Sequence, residues 1–329
     1  MFIRQSLAGA GNGGTMAAVF IKVMTIFAMI GAGFAANKAG VLPGQSSRYI
    51  SALLVYVTTP CLVLSTIASQ DLTGEMVRMS AEVIIGTIIF FSVASLVSYL
   101  IVKAIKYEPE SDRGALCALM TSANTGFMGF PVTKAIFGDK IFFLFIIQNI
   151  LLNIYLYSGA ILQISQGSGE KVSVKKIAKA LMNPCMAAAL GGVILMTTGT
   201  ELPGPVMEFL TTMGSSTIPI SMIVVGIQLG SSDLKEVMGN LKLMFCCFCN
   251  VVLMPLLTLA AVWLLPLADA SKLTLVFAAA FPSAVLIVAI SETQNKNSLL
   301  LSQGVAMTTL MSMFTLPVWA IILMQLFSY

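Results

Sequence analysis

The feature that most constrains this chain is a series of apolar segments, each about 20 residues long, separated by short polar breaks. A helix of that length matches the thickness of the hydrocarbon core of a bilayer. Soluble domains carry about 25% charged residues, whereas only 10% of these 329 residues are charged and 57% are hydrophobic. The pattern therefore predicts an all-α polytopic membrane protein, with the lipid bilayer as its surroundings.

Segment lengths predict ten transmembrane helices. They lie at about 16–36, 49–69, 82–105, 114–137, 141–164, 184–199, 206–230, 243–265, 273–291 and 298–327. The termini and connections are too short for an independent soluble domain, so we expect the function to lie within the membrane. The first 15 residues carry Arg4 and no pattern of a cleavable signal, and we expect no cleavage.

Prolines indicate an internal repeat. Pro60 and Pro131 lie in spans 2 and 4, and Pro219 and Pro282 lie in spans 7 and 9, at matching positions of two sets of five. A repeat with an odd number of spans inserts its second copy upside down, which is the inverted arrangement of many secondary transporters. Coincidental kinks are the alternative, since proline is common in membrane helices. The predicted units are a tail (1–15), a first repeat (16–164), a connecting loop (165–183) and a second repeat (184–329).

The distribution of Lys and Arg predicts the orientation. On the side of the N-terminus lie Arg4, Arg78, Lys134, Lys140 and Lys272. On the other side lie Lys38, Arg48, Lys103, Lys106, Arg113, Lys171, Lys175, Lys176, Lys179, Lys235, Lys242 and Lys296, with Lys22 inside span 1. Because basic loops face the cytoplasm, we expect both termini outside the plasma membrane, which in a bacterium is the inner membrane, and the 165–183 loop inside.

Several classes of function are excluded by residues that the chain lacks. It has no histidine, which removes His metal ligands and Ser-His catalysis, and no Gly-x-x-x-x-Gly-Lys-Ser/Thr motif for ATP. The six cysteines lie within apolar segments and are interpreted as reduced, buried side chains. Basic residues are scattered between spans, unlike those of a nucleic-acid binder. We therefore expect no enzyme activity, metal, cofactor or nucleic-acid partner.

Span 4 contains the densest cluster of helix-breaking residues at membrane depth, from Asn124, Thr125 and Gly126 to Gly129 and Pro131. Irregular backbone at this depth is tolerated only where protein buries it or where it lines a water-filled cavity. We expect Pro131 to open a second half-helix, because its missing N–H costs nothing at the first helical position. The exposed N–H groups and positive dipole of that half-helix favour a carboxylate.

Span 9 carries a plainer form of the same feature around Phe281, Pro282 and Ser283. If the repeat is real, the breaks in spans 4 and 9 cross near the midplane and the substrate site lies between them. A simple proline kink is the alternative for span 9 taken alone. We include all three residues in the predicted substrate site.

Three of the other amides at membrane depth are candidates for function. Asn149 and Asn153 in span 5 are four residues apart and share one helix face, and Gln303 lies in span 10. Ordinary hydrogen bonding between helices is worth about 0.6 kcal/mol per residue and explains the Asn pair as well as substrate binding does. All three are candidates for the substrate site.

At the end of span 9, Glu292 lies close to Gln294 and Asn295. A carboxylate beside amide oxygens is a candidate for holding a sodium ion or carrying a coupling proton. A polar helix terminus that faces cytoplasmic water is the simpler alternative.

The string Asn124-Thr125-Gly126-Phe127-Met128-Gly129-Phe130-Pro131 resembles the fourth-helix signature of the auxin efflux carrier family, which includes the PIN-formed auxin exporters of plants. Phe281-Pro282-Ser283-Ala284 and residues 308–317 are similar to its ninth and tenth helices. The resemblance covers nearly the whole chain from Met16. It implies a ten-helix carrier with crossing, proline-broken helices 4 and 9, an elevator-type motion, a homodimer, and small organic anions as substrates.

Two departures refine that expectation. The connection at 165–183 is short, which resembles bacterial members associated with dicarboxylates such as malate or malonate, and span 2 contains no acidic residue. The resemblance thus implies a secondary active transporter or facilitator that works by alternating access, in efflux or exchange. The alternative is a sodium-coupled symporter of the bile-acid type, because Glu292-Thr293-Gln294-Asn295 resembles the sodium site of that group.

Overall fold

The computed structural model describes residues 12–165, 183–231, 239–294 and 296–327. Within these ranges every regular element is a helix. Six are long and apolar enough to cross a membrane: Ser46–Ala68, Gly74–Ala104, Glu110–Ile164, Gly204–Ser231, Leu241–Trp263 and Ser298–Leu326. The predicted all-α polytopic membrane protein is confirmed at this level.

The helices are numbered after the predicted spans. In chain order they are α1 (Asn12–Lys38), α2 (Ser46–Ala68), α3 (Gly74–Ala104), α4a (Arg113–Thr121), α4b (125–137), α5 (139–164), α6 (Pro184–Thr198), α7 (Gly204–Ser231), α8 (Leu241–Trp263), α9a (Asp269–Ala279), α9b (Leu286–Thr293) and α10 (Ser298–Leu326). Helix α1 begins within the predicted tail. Residues 1–11 of that tail, and 166–182 of the connecting loop, lie outside the described residues.

Helices α4b and α5 are joined by a turn at Gly138. Its backbone angles are φ 77° and ψ −162°, a combination that is essentially restricted to glycine. The two helices then run antiparallel, since the rings of Phe130 and Phe142 lie 5.3 Å apart, centroid to centroid, and Asn149 reaches back to Thr125. The tight turn therefore holds α4b and α5 together as a hairpin.

Replacing Gly138 with alanine should lower the free energy of unfolding by about 1–3 kcal/mol. The cause is backbone strain alone, since a Cβ at this position meets no atom within 4 Å. Thermal melting of the purified protein in detergent measures the effect. Gly74→Ala is the matched control, because its Cβ also enters open space without a positive φ. Equal melting temperatures for the two variants would contradict the assignment of strain to Gly138.

The helices form two bundles. The first bundle consists of α1, α2, α6 and α7, and the second consists of α3, α4a, α4b, α5, α8, α9a, α9b and α10. Small residues let backbones meet in the first bundle: a Cβ on Gly33 of α1 would lie 2.3 Å from the Ile223 carbonyl oxygen, and a Cβ on Gly226 of α7 would lie 2.1 Å from that of Ile30. Helices α1 and α7 are therefore in direct backbone contact.

Three prolines inside helices are each preceded by a wide π-helical turn that ends two residues earlier. Proline lacks an N–H and its ring clashes with the carbonyl of residue i−4, and local π adjustments relieve both problems in membrane helices. The pairs are Leu54–Thr58 with Pro60, Thr125–Gly129 with Pro131, and Cys249–Leu253 with Pro255. Helical structure therefore continues through these prolines instead of stopping at them.

Candidate functional site

The helix of span 4 is interrupted at residues 122–124. Helix α4a ends at Thr121, Ser122 is extended (φ −84°, ψ 152°), and helical structure resumes at Thr125 with the π turn. Regular α-helical structure begins at Phe130 with Pro131 in its first turn. The expectation that Pro131 opens the half-helix is therefore corrected: because the π turn accommodates the proline, the uncapped end lies six residues upstream.

Asn124 occupies the capping position of α4b but its side chain caps nothing. Its carbonyl accepts hydrogen bonds from the N–H groups of Met128 (3.3 Å) and Gly129 (3.0 Å). The N–H groups of 125–127 have no partner among the described residues, as is expected for a helix start without a side-chain cap. Asn124 is only 5% exposed, so this positive helix end is buried.

The two breaks meet. The backbone N–H of Asn124 donates to the carbonyl of Pro282 (2.6 Å), and the hydroxyls of Ser122 and Ser283 lie 2.7 Å apart. All of these contacts join span 4 to the segment between α9a and α9b. The predicted meeting of the breaks in spans 4 and 9 is thus present in the fold.

The break in span 9 differs from that in span 4 in how its backbone is satisfied. The N–H of Ser283 donates to the Thr308 hydroxyl (3.3 Å), and the N–H of Ala284 donates to the Ser122 hydroxyl (3.4 Å). Side chains therefore already occupy these donors. The start of α9b, like that of α4b, has no side-chain cap.

The two asparagines of α5 reach the span 4 break. The Asn149 amide donates to the Thr125 hydroxyl (2.7 Å), and the Asn153 amide donates to Asn149 Oδ1 (3.1 Å). A Cβ on Gly126 would have only the Asn149 amide nitrogen, at 3.7 Å, within contact distance. The first turn of α4b therefore meets amides on the side that faces α5, and it remains open at Gly126.

Phe281 and Gly129 have a different environment. Phe281 is fully buried, with its ring centroid 5.0 Å from that of Phe277 and 5.5 Å from that of Phe145. A Cβ on Gly129 would come within 2.6 Å of the Phe145 ring. Both residues pack against aromatic rings near the crossing, the point where the breaks in spans 4 and 9 meet. This placement favours a structural role over substrate contact.

A cavity of about 360 Å³ lies between the two bundles. The first bundle and the segment that precedes α2 line it with Gly44, Ser47, Gln228 and Ser231, and the second bundle with Val285, Ser302, Gln303 and Thr309. Gln303 thus lines the cavity, which reaches the start of α9b but does not include Asn124 or Thr125. The structure separates Gln303 from the amides at the span 4 break.

Sequence patterns missed three polar side chains at the crossing: Ser122, Thr308 and Asn250. Ser122 adjoins the predicted break and Thr308 lies in a Thr/Ser-rich stretch of α10, so both carried a weak signal. Asn250 is isolated in an apolar segment. Nothing local distinguishes it from an ordinary interhelical amide.

The proposed ion-coupling residues lie in different environments. Glu292 is exposed on α9b, whereas Gln294 is 7% exposed and its Oε1 has no partner among the described residues. Asn295 lies outside the described residues. Ion coupling at these positions stays a prediction.

Glu292→Gln is expected to leave transport, and its response to sodium and pH gradients, nearly unchanged. An exposed carboxylate is already solvated, so its neutral isostere removes little interaction energy. Uptake by reconstituted protein with and without each gradient measures this. Retained exchange with loss of a gradient response would assign the coupling ion to Glu292.

A multi-pass helical bundle in which two interrupted helices meet around a buried, uncapped helix end is an arrangement found in many membrane transporters. The profile of the family described as "membrane transport protein" matches residues 18–320. The chain belongs to this family, that of the auxin efflux carriers and their PIN relatives, which confirms the resemblance and indicates a transporter and not an enzyme.

Two archaeal proteins are similar to the chain over most of its length. An uncharacterized transporter of Methanothermobacter thermautotrophicus is 24% identical over 310 residues, which cover 92% of this chain and 97% of that protein. An uncharacterized transporter of Methanocaldococcus jannaschii is 21% identical over 311 residues, which cover 92% and 98%. Both relatives are therefore matched over nearly their whole length.

Proposed function

We propose that the protein is a secondary carrier that moves a small organic anion across the plasma membrane by alternating access, in efflux or exchange. The observation that carries the proposal is the buried N-terminus of α4b, where three backbone N–H groups and the Asn124 side chain lack partners among the described residues. Such a helix end binds carboxylates through its N–H groups and its dipole. The anion's carboxylate accepts hydrogen bonds from 125–127 and from the Asn124 amide.

Dicarboxylates such as malate and malonate are the first substrates to test. The family resemblance supports them, and so do Asn149 and Asn153, which place further amide groups beside the helix end. A sodium-coupled symporter remains the alternative function. The environment of Glu292 does not favour this alternative, because the carboxylate of Glu292 is exposed.

The carrier is proposed to consist of ten spans in two inverted repeats, 16–164 and 184–329, joined by the 165–183 loop. Contacts in the second bundle support it, because α3, α5 and α9a begin at one end while α4a, α8 and α10 begin at the other. The contacts that group these ends are Glu75–Lys140 (3.1 Å) and Glu82–Ala268 (2.9 Å) at the first end, and Asp112–Asn297 (2.9 Å) and Lys242–Lys106 (2.9 Å) at the second. Equivalent helices of the two repeats, such as α3 and α8, therefore run in opposite directions.

Alternating access is proposed to move the second bundle against the first. Spans 1 and 2 of each repeat build the first bundle, and spans 3 to 5 of each repeat build the second. The cavity at Gln303 separates the bundles on one side of the crossing. The anion reaches the crossing through it, and we expect the carrier to work as a homodimer.

Counterflow in proteoliposomes tests the function. Vesicles loaded with unlabelled malate or malonate should accumulate the labelled anion, with auxin-like aromatic acids and monocarboxylates run in parallel and with sodium and pH gradients imposed separately. Accumulation of any of these anions supports a carrier. Absence of counterflow for all of them, in protein that is folded and correctly inserted, would contradict the proposal.

The orientation gives a prediction for single cysteines in a background whose six native cysteines are replaced. Thr200→Cys, in the connection between α6 and α7, should react with a membrane-impermeant thiol reagent added to intact cells. Ser111→Cys, between α3 and α4a, should react only after the cells are opened. Both positions are exposed in the structure, and the excess of Lys and Arg supports a cytoplasmic location for the Ser111 end. The reverse labelling pattern would show that the protein is inserted the other way round.

A further inference from the structure

Asn250 lies on α8, within the π-helical turn Cys249–Leu253, and is 2% exposed. Its amide nitrogen lies 3.2 Å from the Leu119 carbonyl oxygen, 3.1 Å from that of Met120 and 3.2 Å from that of Ser122. The two N–H groups of one side chain are thus shared among three carbonyls. All three belong to the last turn of α4a and the start of the break.

The carbonyls of Leu119 and Met120 need a partner from outside their own helix, and that of Ser122 lies in the break beyond it. The last four carbonyls of an α-helix have no intrahelical N–H to accept, and a buried carbonyl without a partner costs about 1–3 kcal/mol. The bilayer core contains no water that could form these hydrogen bonds instead. The Asn250 amide therefore stabilises the end of α4a at the depth where the chain leaves the helix.

Through Ser122, the hydrogen bonds of Asn250 are connected to the point where the two breaks meet. Ser122, whose carbonyl accepts from Asn250, places its hydroxyl 2.7 Å from that of Ser283 and accepts the N–H of Ala284. Two residues later, the N–H of Asn124 donates to the Pro282 carbonyl. The end of α4a is thus joined to α8 on one side and to the span 9 break on the other.

We propose that Asn250 is a positioning residue: by holding the end of α4a it fixes where the two breaks meet and where the uncapped end of α4b lies. Asn250 does not touch the anion in this arrangement. Its effect on binding passes through Ser122 and Asn124, and that consequence rests on the function proposed above.

The first measurement reports the crossing without any substrate. In the background without native cysteines, Ser122→Cys and Ser283→Cys place two thiols where hydroxyls lie 2.7 Å apart, so mild oxidation should link them. A protease site inserted in the 165–183 loop separates the two halves on a gel unless they are linked. Adding Asn250→Leu, which removes the donors and keeps the same branched arrangement of side-chain heavy atoms, should lower the yield of linked protein.

The second measurement is anion affinity with the native serines. Asn250→Leu should weaken binding by about tenfold, the size expected when the donors of a charged ligand are displaced. Asn250→Ser, which keeps one O–H donor, should fall between Asn250→Leu and the native protein, and it carries the test if Asn250→Leu does not fold. Trp319→Phe is the matched control, because it removes a buried donor to Val251 in the same π turn without touching the break.

The outcomes separate the two proposals. Lower linkage and lower affinity with Asn250→Leu, and neither with Trp319→Phe, support the positioning role. Unchanged linkage overturns it, whatever the affinity does. Lower linkage with native affinity keeps the positioning role and shows instead that the anion binds away from the span 4 break.

Discussion

Asn124→Ala is expected to weaken anion binding by about ten- to a hundredfold, because a hydrogen bond to a charged group is worth about 1.5–3 kcal/mol. The side chain makes no hydrogen bond to the described residues and caps no N–H of its own helix. Its removal therefore takes away a ligand contact and little else. Binding of the anion that gives counterflow, measured in detergent by calorimetry, provides the number.

A second asparagine at a helix start supplies the control. The Asn240 side chain accepts the N–H of Leu243 (3.0 Å) at the start of α8 and also donates to the Tyr107 hydroxyl. Asn240→Ala should therefore lower stability by about 1 kcal/mol, the value of a typical cap, and leave affinity unchanged. Asn124→Ala should show the opposite pattern. Native affinity in a folded Asn124→Ala protein would place the anion elsewhere and leave the break as a hinge.

Gly33→Ala should destabilise the protein by about 3 kcal/mol, at the upper end of the usual cost of overpacking. The new Cβ would lie 2.3 Å from the Ile223 carbonyl oxygen, and backbone cannot rotate away as a side chain can. Helices α1 and α7 must separate to admit it. A lower melting temperature and a poorer yield of monodisperse protein are the expected measurements.

Gly31→Ala is the matched control. It makes the same glycine-to-alanine change two residues away on α1, at a position that does not touch α7. Its Cβ meets nothing within 4 Å, and the position is exposed. Alanine has the higher helix propensity, by up to about 1 kcal/mol, so this variant should melt at or above the native temperature. If both variants melted alike, close contact between α1 and α7 would not account for the effect.

The all-helical architecture and the meeting of the two breaks at the candidate site could be predicted from local signals. Apolar length marks the spans, and the Asn124 to Pro131 cluster with its counterpart at Pro282 marks the breaks that the fold brings together. The spacing of Asn149 and Asn153 correctly indicated a shared face, which reaches Thr125. Each of these signals lies within a few residues of the feature it predicts.

What sequence could not give depends on distant contacts or on alternative backbone geometry. Asn250 bonds to carbonyls about 130 residues earlier in the chain, and a lone amide in an apolar segment carries no mark of that partner. Pro131 was expected to start a half-helix because its missing N–H costs nothing at the first helical position. A wide turn is an equally good solution, and the choice between them is made by packing.

The wide turns before Pro60, Pro131 and Pro255 also change which way the helices face. Each residue advances about 100° around an α-helix, so the additional residue of a π turn rotates everything beyond it by about that angle. A single helical wheel drawn through the whole of α8 therefore places one half about 100° out of register with the other. Deleting one residue from Cys249–Leu253 would hardly shorten the helix, but it would swing the lipid-facing side chains of one half toward the protein interior.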